Sequence, residues 1–165
     1  MTAAPPRSKT VATWIALIAG SLGLHRFYLY GFRDVWGWLF AVPTLLGAHG
    51  VQRMRELGMD DRLAWLLAPL LGAMLASTML TAILYGLTSD EVWNRRHNPV
   101  HPAAPSGWGV IIGVVAALAV GATALMATIA FTAQRLFELQ AAAPTPVRSA
   151  PAAPGRRVRR ASALD

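Results

Sequence analysis

Charged residues are absent from two long stretches of the chain, residues 63–88 and residues 97–134. Each stretch contains a run of at least ~20 apolar residues, which is the length that an α-helix needs to cross about 30 Å of hydrocarbon. A chain inside a bilayer must satisfy its backbone N–H and C=O groups internally, so such runs are expected to be helical. The pattern therefore predicts two membrane-spanning helices, Leu63–Leu87 and Trp108–Ala133.

Two shorter apolar stretches precede these helices. Val11–Leu24 has 14 residues, about 21 Å of helix, and reaches the length of a span only if it continues to Tyr30. Val35–Gly50 has 16 residues and contains Pro43, which is expected to kink it. We interpret the two stretches as a short transmembrane hairpin with a turn near Gly31. A cleaved signal peptide is the alternative for the first stretch, but bulky residues follow it where a small-residue cleavage site is expected.

The pattern divides the chain into four segments. Residues 1–10 form a polar N-terminal lead, and residues 11–57 form the helical hairpin with a charged connection at its end. Residues 58–138 hold the two further transmembrane helices, separated by a polar loop at 89–107. Residues 139–165 are rich in Arg, Pro and Ala, so a disordered basic tail is predicted. The predicted fold class is an all-α integral membrane protein with four transmembrane helices.

The distribution of Lys and Arg predicts the orientation of these helices, because basic residues collect on the cytoplasmic side of a membrane. With four spans, the N-terminal lead, the connection before residue 63 and the residues after the last helix share one side. That side carries eleven of the fifteen basic residues. The other side carries Arg26, Arg33, Arg95 and Arg96. Both termini are therefore expected in the cytoplasm, and the expected location is the bacterial inner membrane.

Composition supports a membrane protein and removes several other classes. Only 14% of the residues are charged, against about 25% in a typical soluble domain, whereas 55% are hydrophobic. The net charge of +7 does not indicate nucleic-acid binding, because the basic residues flank the apolar stretches and crowd the C-terminus. The absence of cysteine excludes disulfides, cysteine zinc sites and thiol catalysis.

The string GSLGLHRFYL, at residues 20–29, places a His-Arg pair and aromatic residues directly after a small-residue apolar helix. It resembles the signature of the TM-two domain family (two-transmembrane domain, called NINE-protein in bacteria). In that family a basic residue and an apolar helix precede Gly-x-x-Gly-x-His-Arg-Phe-Tyr-Leu-Gly and a second helix. Lys9 matches the basic residue, and the resemblance covers about residues 7–50. The matching residues of the string are Gly20, Gly23, His25, Arg26, Phe27, Tyr28 and Leu29.

The chain departs from the family pattern in two places. Tyr30 stands where the family has Gly, with Gly31 one residue later, and the second helix lacks the expected Trp and Asp near its end. Any role of those two residues in relatives therefore does not carry over. The resemblance implies a two-helix architecture, and it implies no settled biochemical activity.

The matched residues suggest an interaction surface at the turn after the first helix. The two glycines of the string allow another helix to approach closely. Arg26 is expected to pair with Asp34 across the turn or to reach a lipid phosphate, and His25 is a candidate pH sensor. The alternative is an interfacial turn without chemistry, in which Arg26 extends to the membrane surface and the aromatic residues anchor the chain.

Small residues recur at every fourth position along the last helix, a spacing that favours close helix packing within the chain or between copies. These candidates for helix packing are Gly109, Gly113, Ala117 and Gly121.

The tail ends in a cluster of arginines that suits contact with anionic lipid headgroups, at roughly 1 kcal/mol per residue near the surface. These arginines are Arg156, Arg157, Arg159 and Arg160.

The function that these patterns favour is that of a scaffold or regulatory protein that acts by interaction. Its expected partners are the lipid bilayer, anionic headgroups and another membrane protein or a second copy. A small transporter or channel component is the alternative, although the two long apolar helices carry no ionisable group of the kind that coupled transport uses. No enzyme activity or cofactor is expected. A metal site is not expected either, because Pro99 and Pro102 prevent a helix that would align His97 with His101.

Overall fold

The computed structural model describes residues 6–142, and every regular element in that range is helical. The predicted all-α class is therefore confirmed for this part of the chain. The elements are α1 (Lys9–Ala19), a 3₁₀ turn (Gly20–Leu22), α2 (Leu24–Tyr30), α3 (Val35–Leu57), α4 (Arg62–Leu87), α5 (Asp90–His97) and α6 (Trp108–Ala142).

Short polar side chains fix where four of the helices begin. The first turn of a helix has N–H groups without intrahelical partners, and a preceding Ser or Asp side chain accepts from one of them. Asp61 accepts from the Ala64 N–H at 3.1 Å and thereby starts α4. The same role before α1, α3 and α5 belongs to Ser8, Asp34 and Ser89.

Helix α4 lies at the centre of the bundle, with α3 and α6 packed along it and α1 packed against both α4 and α6. Glycines let the helices approach closely, because a Cβ at these positions would collide with the neighbour. Gly47 and Gly50 of α3 face Leu71 and Leu67 of α4. The α4–α6 contact is equally tight at Gly72, where a Cβ would collide with the Thr128 hydroxyl.

The first apolar stretch does not continue to Tyr30 as one helix. It breaks at the 3₁₀ turn and at Gly23, and α2 folds back along α1. The backbone N–H of Ser8, at the start of α1, donates to the Tyr28 hydroxyl at 3.1 Å. Leu29 and Ala12 are both completely buried and lie in the same cluster. The expected single helix over residues 11–30 is therefore wrong, and α1 and α2 form a compact hairpin on the side of the bundle.

The bundle has two ends, which hold different parts of the chain. The α5 end contains the start of α1, α5 and the start of α6: Trp93 donates from its indole N–H to the Arg7 carbonyl, and Trp14 donates to the Gly109 carbonyl. The Met59 end contains the α3–α4 connection and the far part of α6, where the Arg135 guanidinium contacts the Met59 carbonyl. The residues that precede α1 and the last described turns of α6 thus lie at opposite ends.

Two helices, α4 and α6, are long and apolar enough to cross a membrane, and Lys9–Leu22 is a shorter apolar helical segment. Four spans with both termini on one side, as predicted, are therefore not confirmed. The reason is the chain reversal at Gly20–Gly23, which returns the hairpin to the α5 end before α3 begins. The chain then needs three passes through the bundle to reach Ala142.

Helix lengths differ from the sequence prediction at three other places. Helix α3 continues to Leu57, through residues 52–57 that were expected in a charged loop. The polar loop at 89–107 contains α5. Helix α6 continues to Ala142, where a disordered tail was predicted from residue 139. The rest of that tail, from residue 143 onward, lies outside the described residues.

Candidate functional site

The glycines of the 20–29 string build the chain reversal. Gly23 has φ 76°, a left-handed conformation that residues with a Cβ rarely adopt. A Cβ at Gly23 would also collide with the carbonyl oxygen of Gly37 on α3. At Gly20 the added Cβ would lie 3.0 Å from the Thr78 Cβ on α4. The string therefore places the turn between α1 and α2 in direct contact with both α3 and α4.

Thr44 of α3 completes this turn. Its hydroxyl oxygen lies 2.7 Å from the Ser21 carbonyl oxygen and 2.9 Å from the Phe40 carbonyl oxygen. The hydroxyl thereby supplies a hydrogen bond to a backbone group that the break in the helix leaves free. A polar side chain in the middle of α3 is used to hold the reversal in place.

His25 lies beneath the turn and is 1% exposed. Its ring packs edge-on against Phe40 of α3, with centroids 5.3 Å apart, and lies 6.0 Å from the ring of Tyr85 on α4. Its Nδ1 atom is buried and has no hydrogen-bond partner among the described residues. The imidazole is thus part of the contact between the hairpin and the two helices beside it.

Arg26 and Asp34 form an ion pair across the connection between α2 and α3, with Arg26 Nε 2.5 Å from Asp34 Oδ2. The guanidinium also lies over the Tyr30 ring, 5.0 Å from its centroid. The hydrogen bond from Arg26 is the main reason that the pKa of the Asp34 carboxyl is lowered. Because Asp34 also begins α3, the pair connects the end of the hairpin to the start of the next helix.

The aromatic residues of the string, Phe27 and Tyr28, are both half-buried. The Tyr28 hydroxyl accepts from Ser8, as described above, and Leu29 is completely buried. Phe27 packs over Gly37 and stacks on Phe32, with ring centroids 5.4 Å apart. Most side chains of the string therefore contact the protein's own helices.

No family model matches the chain, and no curated protein and no solved structure matches it either. The likeness to the TM-two family thus rests on the residues of the string alone.

The four small residues of α6 all face other helices of the same chain. Gly109 accepts from Trp14 through its carbonyl at 3.1 Å, and Gly113 faces Thr13 and Trp14 of α1. Ala117 is completely buried in a cluster with Ala16, while Gly121 faces Met79 of α4. This face of α6 is occupied within the chain and does not present a free surface to a second copy.

A second polar cluster fixes the start of α1 at the α5 end. Lys9 is 8% exposed, and its Nζ lies 2.7 Å from Asp90 Oδ1 and 2.8 Å from the Thr88 carbonyl oxygen. Asp90 also accepts from the backbone N–H and the hydroxyl of Ser106, at 2.9 and 2.6 Å. Hydrogen bonds from Lys9 and then from Ser106 lower the pKa of Asp90 to about 2. One carboxylate thus joins α1, α5 and the segment before α6.

We expect this cluster to make the free energy of unfolding depend on pH in the acidic range. A carboxyl whose pKa is about 2 in the folded chain and 3.8 in the unfolded chain stabilises the fold above pH 3.8, and this contribution is lost as the pH falls toward 2. The difference in unfolding free energy between the wild type and Asp90→Asn should therefore be constant above about pH 4 and should shrink below it. Circular dichroism of unfolding in mixed micelles measures both chains; a difference that does not change with pH would contradict the assignment.

Sequence reasoning missed several residues that form the site, and some of the residues it proposed are not in the described part of the chain. Tyr85, Phe40 and Thr44 lie within apolar helices, where only their polar or aromatic character distinguished them from lipid-facing positions. The four tail arginines, Arg156, Arg157, Arg159 and Arg160, lie outside the described residues. Within residues 6–142 no group of three His, Asp or Glu side chains is arranged to hold a metal ion.

Proposed function

We propose that the chain is an integral protein of the bacterial inner membrane that works by interaction, as a scaffold or regulatory partner. The observation that carries the membrane part is the apolar exterior of α4 and α6, which are about 39 and 52 Å long. Large apolar side chains point away from the bundle along both helices, and such a surface is rare on soluble proteins. Examples are Leu66, Leu80, Leu84, Ile112, Val115, Leu118 and Ile129.

In the proposed membrane arrangement α3, α4 and α6 cross the bilayer and the α1–α2 hairpin enters it from the α5 end without crossing. Helix α3 has 23 residues, about 34 Å, which is long enough for a crossing. Broken backbone at membrane depth is tolerated where it is buried in protein, and the turn at Gly20–Gly23 meets that condition. The arrangement replaces the four-span prediction.

The Met59 end is proposed to face the cytoplasm. If the tail follows α6, nine of the fifteen basic residues lie at or beyond this end, and the α5 end has the other six. The excess of basic residues on the cytoplasmic side is smaller than in the four-span prediction. Both arrangements place the α3–α4 connection in the cytoplasm. The six at the α5 end are Arg7, Lys9, Arg26, Arg33, Arg95 and Arg96.

The proposed contact surface lies beside the His-Arg-Phe-Tyr turn and consists of the aromatic residues that follow it. His25 and Leu29 are buried and Arg26 is paired, so these side chains of the string do not form a contact surface for a partner. Phe32, Trp36 and Trp38 are all more than half exposed, and they surround Asp34 at the start of α3. Exposed aromatic residues are the side chains that most often dominate protein interfaces.

A transporter or channel component is the second candidate, and the interior of the hairpin favours it. His25 Nδ1 is buried and has no hydrogen-bond partner within residues 6–142, and Thr44 and Thr78 are buried beside the turn. Ionisable and polar groups at membrane depth often belong to a substrate or proton path. In this alternative the turn at Gly20–Gly23 would open to water during transport.

Site-specific photocrosslinking in intact cells separates these candidates. A photoreactive side chain at Trp38 is expected to capture one discrete membrane protein or a second copy, whereas the same side chain at Leu118, on the outward face of α6, is expected to capture lipid. Proteoliposomes with the wild type are expected to show no solute flux above empty vesicles. A flux that His25→Ala abolishes would replace the interaction proposal with the transport alternative.

A further inference from the structure

Helix α1 covers only part of the groove between α4 and α6. Near the α5 end it packs on Met79 and Ala82 of α4 and on Ala117 of α6, through Ala16. The chain then reverses at Gly20, whose position faces Thr78. The same faces of α4 and α6 continue toward the Met59 end at helical spacing, but no further part of α1 follows them.

The uncovered part of these faces is an open groove of about 320 Å³. Its walls are Leu71 and Leu75 of α4, Ala124 and Thr128 of α6, and Val51 and Met54 of α3. Leu71 and Leu75 lie seven residues before Thr78 and Ala82, so they continue the face that the hairpin covers.

The groove is apolar and no described side chain fills it. The Thr128 hydroxyl in its wall donates to the Ala124 carbonyl at 2.7 Å, so its hydrogen bond is already made. An occupant of this groove has to be a hydrocarbon chain or an apolar side-chain surface, because nothing in the walls would compensate a polar group for lost hydration.

The length of the groove fits within one leaflet of a bilayer. Along α4 its walls extend from Ala68 to Leu75, which is about 10 Å of helix. The hydrocarbon of one leaflet is about 15 Å thick, half of the core of a typical bilayer. A single acyl chain that enters from the Met59 end is therefore long enough to fill the groove along its whole length.

On each of α3 and α6 an arginine follows a wall residue of the groove by one helical turn toward the Met59 end. Arg55 is four residues after Val51 on α3, and Arg135 is four residues after Phe131 on α6, so each follows a wall residue on the same helix face. Arg135 is paired with Glu138, whereas Arg55 is exposed and has no ion pair with any carboxylate in residues 6–142. A phosphate at the mouth would find its free cation at Arg55.

We propose that the groove binds one acyl chain of an anionic phospholipid from the leaflet at the Met59 end, with the phosphate at Arg55. The proposal rests on the proposed location in a membrane. The lipid chain covers the part of the α4 and α6 faces that α1 leaves uncovered, and it packs against all three long helices.

Native mass spectrometry of the detergent-purified full chain, titrated with phosphatidylglycerol or phosphatidylcholine, tests the proposal. The wild type should bind one lipid, and phosphatidylglycerol should bind more tightly. Ala124→Phe should weaken binding by at least about tenfold, because the ring occupies the groove. Its control is Ala122→Phe, which lies about 200° away on α6 and should bind as the wild type does.

A charge-removing pair separates the headgroup from the acyl chain. Arg55→Gln should weaken binding of phosphatidylglycerol more than binding of phosphatidylcholine, because the choline group already neutralises the phosphate of the second lipid. Arg95→Gln, at the α5 end, should keep the preference for phosphatidylglycerol. If Ala124→Phe fails to fold, a phospholipid with a photoreactive acyl chain reports on the wild type instead. It should label residues 68–75 and 124–131.

Three results would overturn the proposal. They are equal lipid binding by Ala124→Phe and Ala122→Phe, labelling spread evenly over the outer faces of α4 and α6, and a dimer that Ala124→Phe abolishes without a change in bound lipid. The last result would make a second copy the occupant. Absence of the wild type from the membrane fraction of cells would overturn the proposed function itself, whereas membrane insertion without groove-dependent lipid would overturn only the lipid site.

Discussion

Single cysteines at Pro6, Phe32 and Val100 are expected to react from one side of the membrane, and a single cysteine at Met59 from the opposite side. The first three positions lie at the α5 end, because Arg7 is hydrogen-bonded to Asn98 and the Tyr30 ring lies 6.0 Å from the His97 ring. Met59 lies at the other end of α4. The chain has no cysteine of its own, so each label reports one position.

The position before α1 decides between the two topologies. Four spans would place Pro6 on the same side as Met59 and opposite to Phe32, whereas the re-entrant hairpin places Pro6 with Phe32. All four positions are on exposed or connecting segments, so the labels need no unfolding to react. Labelling is measured in intact cells with a membrane-impermeant maleimide, and permeabilised cells give the total. If the cysteine at Pro6 reacts from the same side of the membrane as the cysteine at Met59, the hairpin arrangement is excluded.

Gly23→Ala is expected to be the most damaging conservative substitution in the described residues, with a loss of about 2 to 5 kcal/mol of folding free energy. About 1 to 2 kcal/mol comes from the left-handed conformation at φ 76°, which alanine adopts with strain. A further 1 to 3 kcal/mol, roughly, comes from the collision of the new Cβ with the Gly37 carbonyl, since α2 and α3 must move apart.

Gly31→Ala is a control that lacks the collision. Gly31 has φ 85° and ψ 170°, and among the described residues nothing lies within 4 Å of the place where its Cβ would be. It should therefore show a conformational cost alone, of about 1 to 3 kcal/mol, since this region of backbone space is adopted essentially by glycine. Unfolding of the three chains in mixed micelles, followed by circular dichroism, gives both differences. A loss below about 2 kcal/mol for Gly23→Ala would mean that the collision with the Gly37 carbonyl costs nothing, because the left-handed conformation alone accounts for that amount.

The sequence predicted α4 to within one residue, because the charge-free apolar run that follows Arg62 leaves few alternatives to a helix. It did not predict the last turns of α6, although Gln134 and Arg135 both bond to Glu138 at helical spacing and support the helix beyond its apolar part. Polarity alone does not end a helix, and the prediction of a tail from residue 139 relied on polarity.

The chain reversal was not predictable from the residues that build it. Leu22, Leu24 and Leu29 are as compatible with a continuing apolar helix as with a turn, and Gly20 and Gly23 are common in transmembrane helices. What decides the conformation is a set of contacts with distant positions, namely Thr44, Thr78 and Gly37. The ion pair between Arg26 and Asp34 could be predicted from the sequence, because both residues flank one short connection and only eight positions separate them.

The anchoring of α1 by Lys9 has a consequence for how the protein is made. The groups that hold the start of the hairpin, Thr88, Trp93 and Asn98, follow it by 79 to 91 positions in the chain. Synthesis runs from the N-terminus, so residues 9–30 leave the ribosome long before the residues on which they pack. Helices α3 and α4 can associate earlier, because a connection of four residues joins them. The α1–α2 hairpin is therefore translated before α3 and α4 but reaches its native position after those two helices have associated.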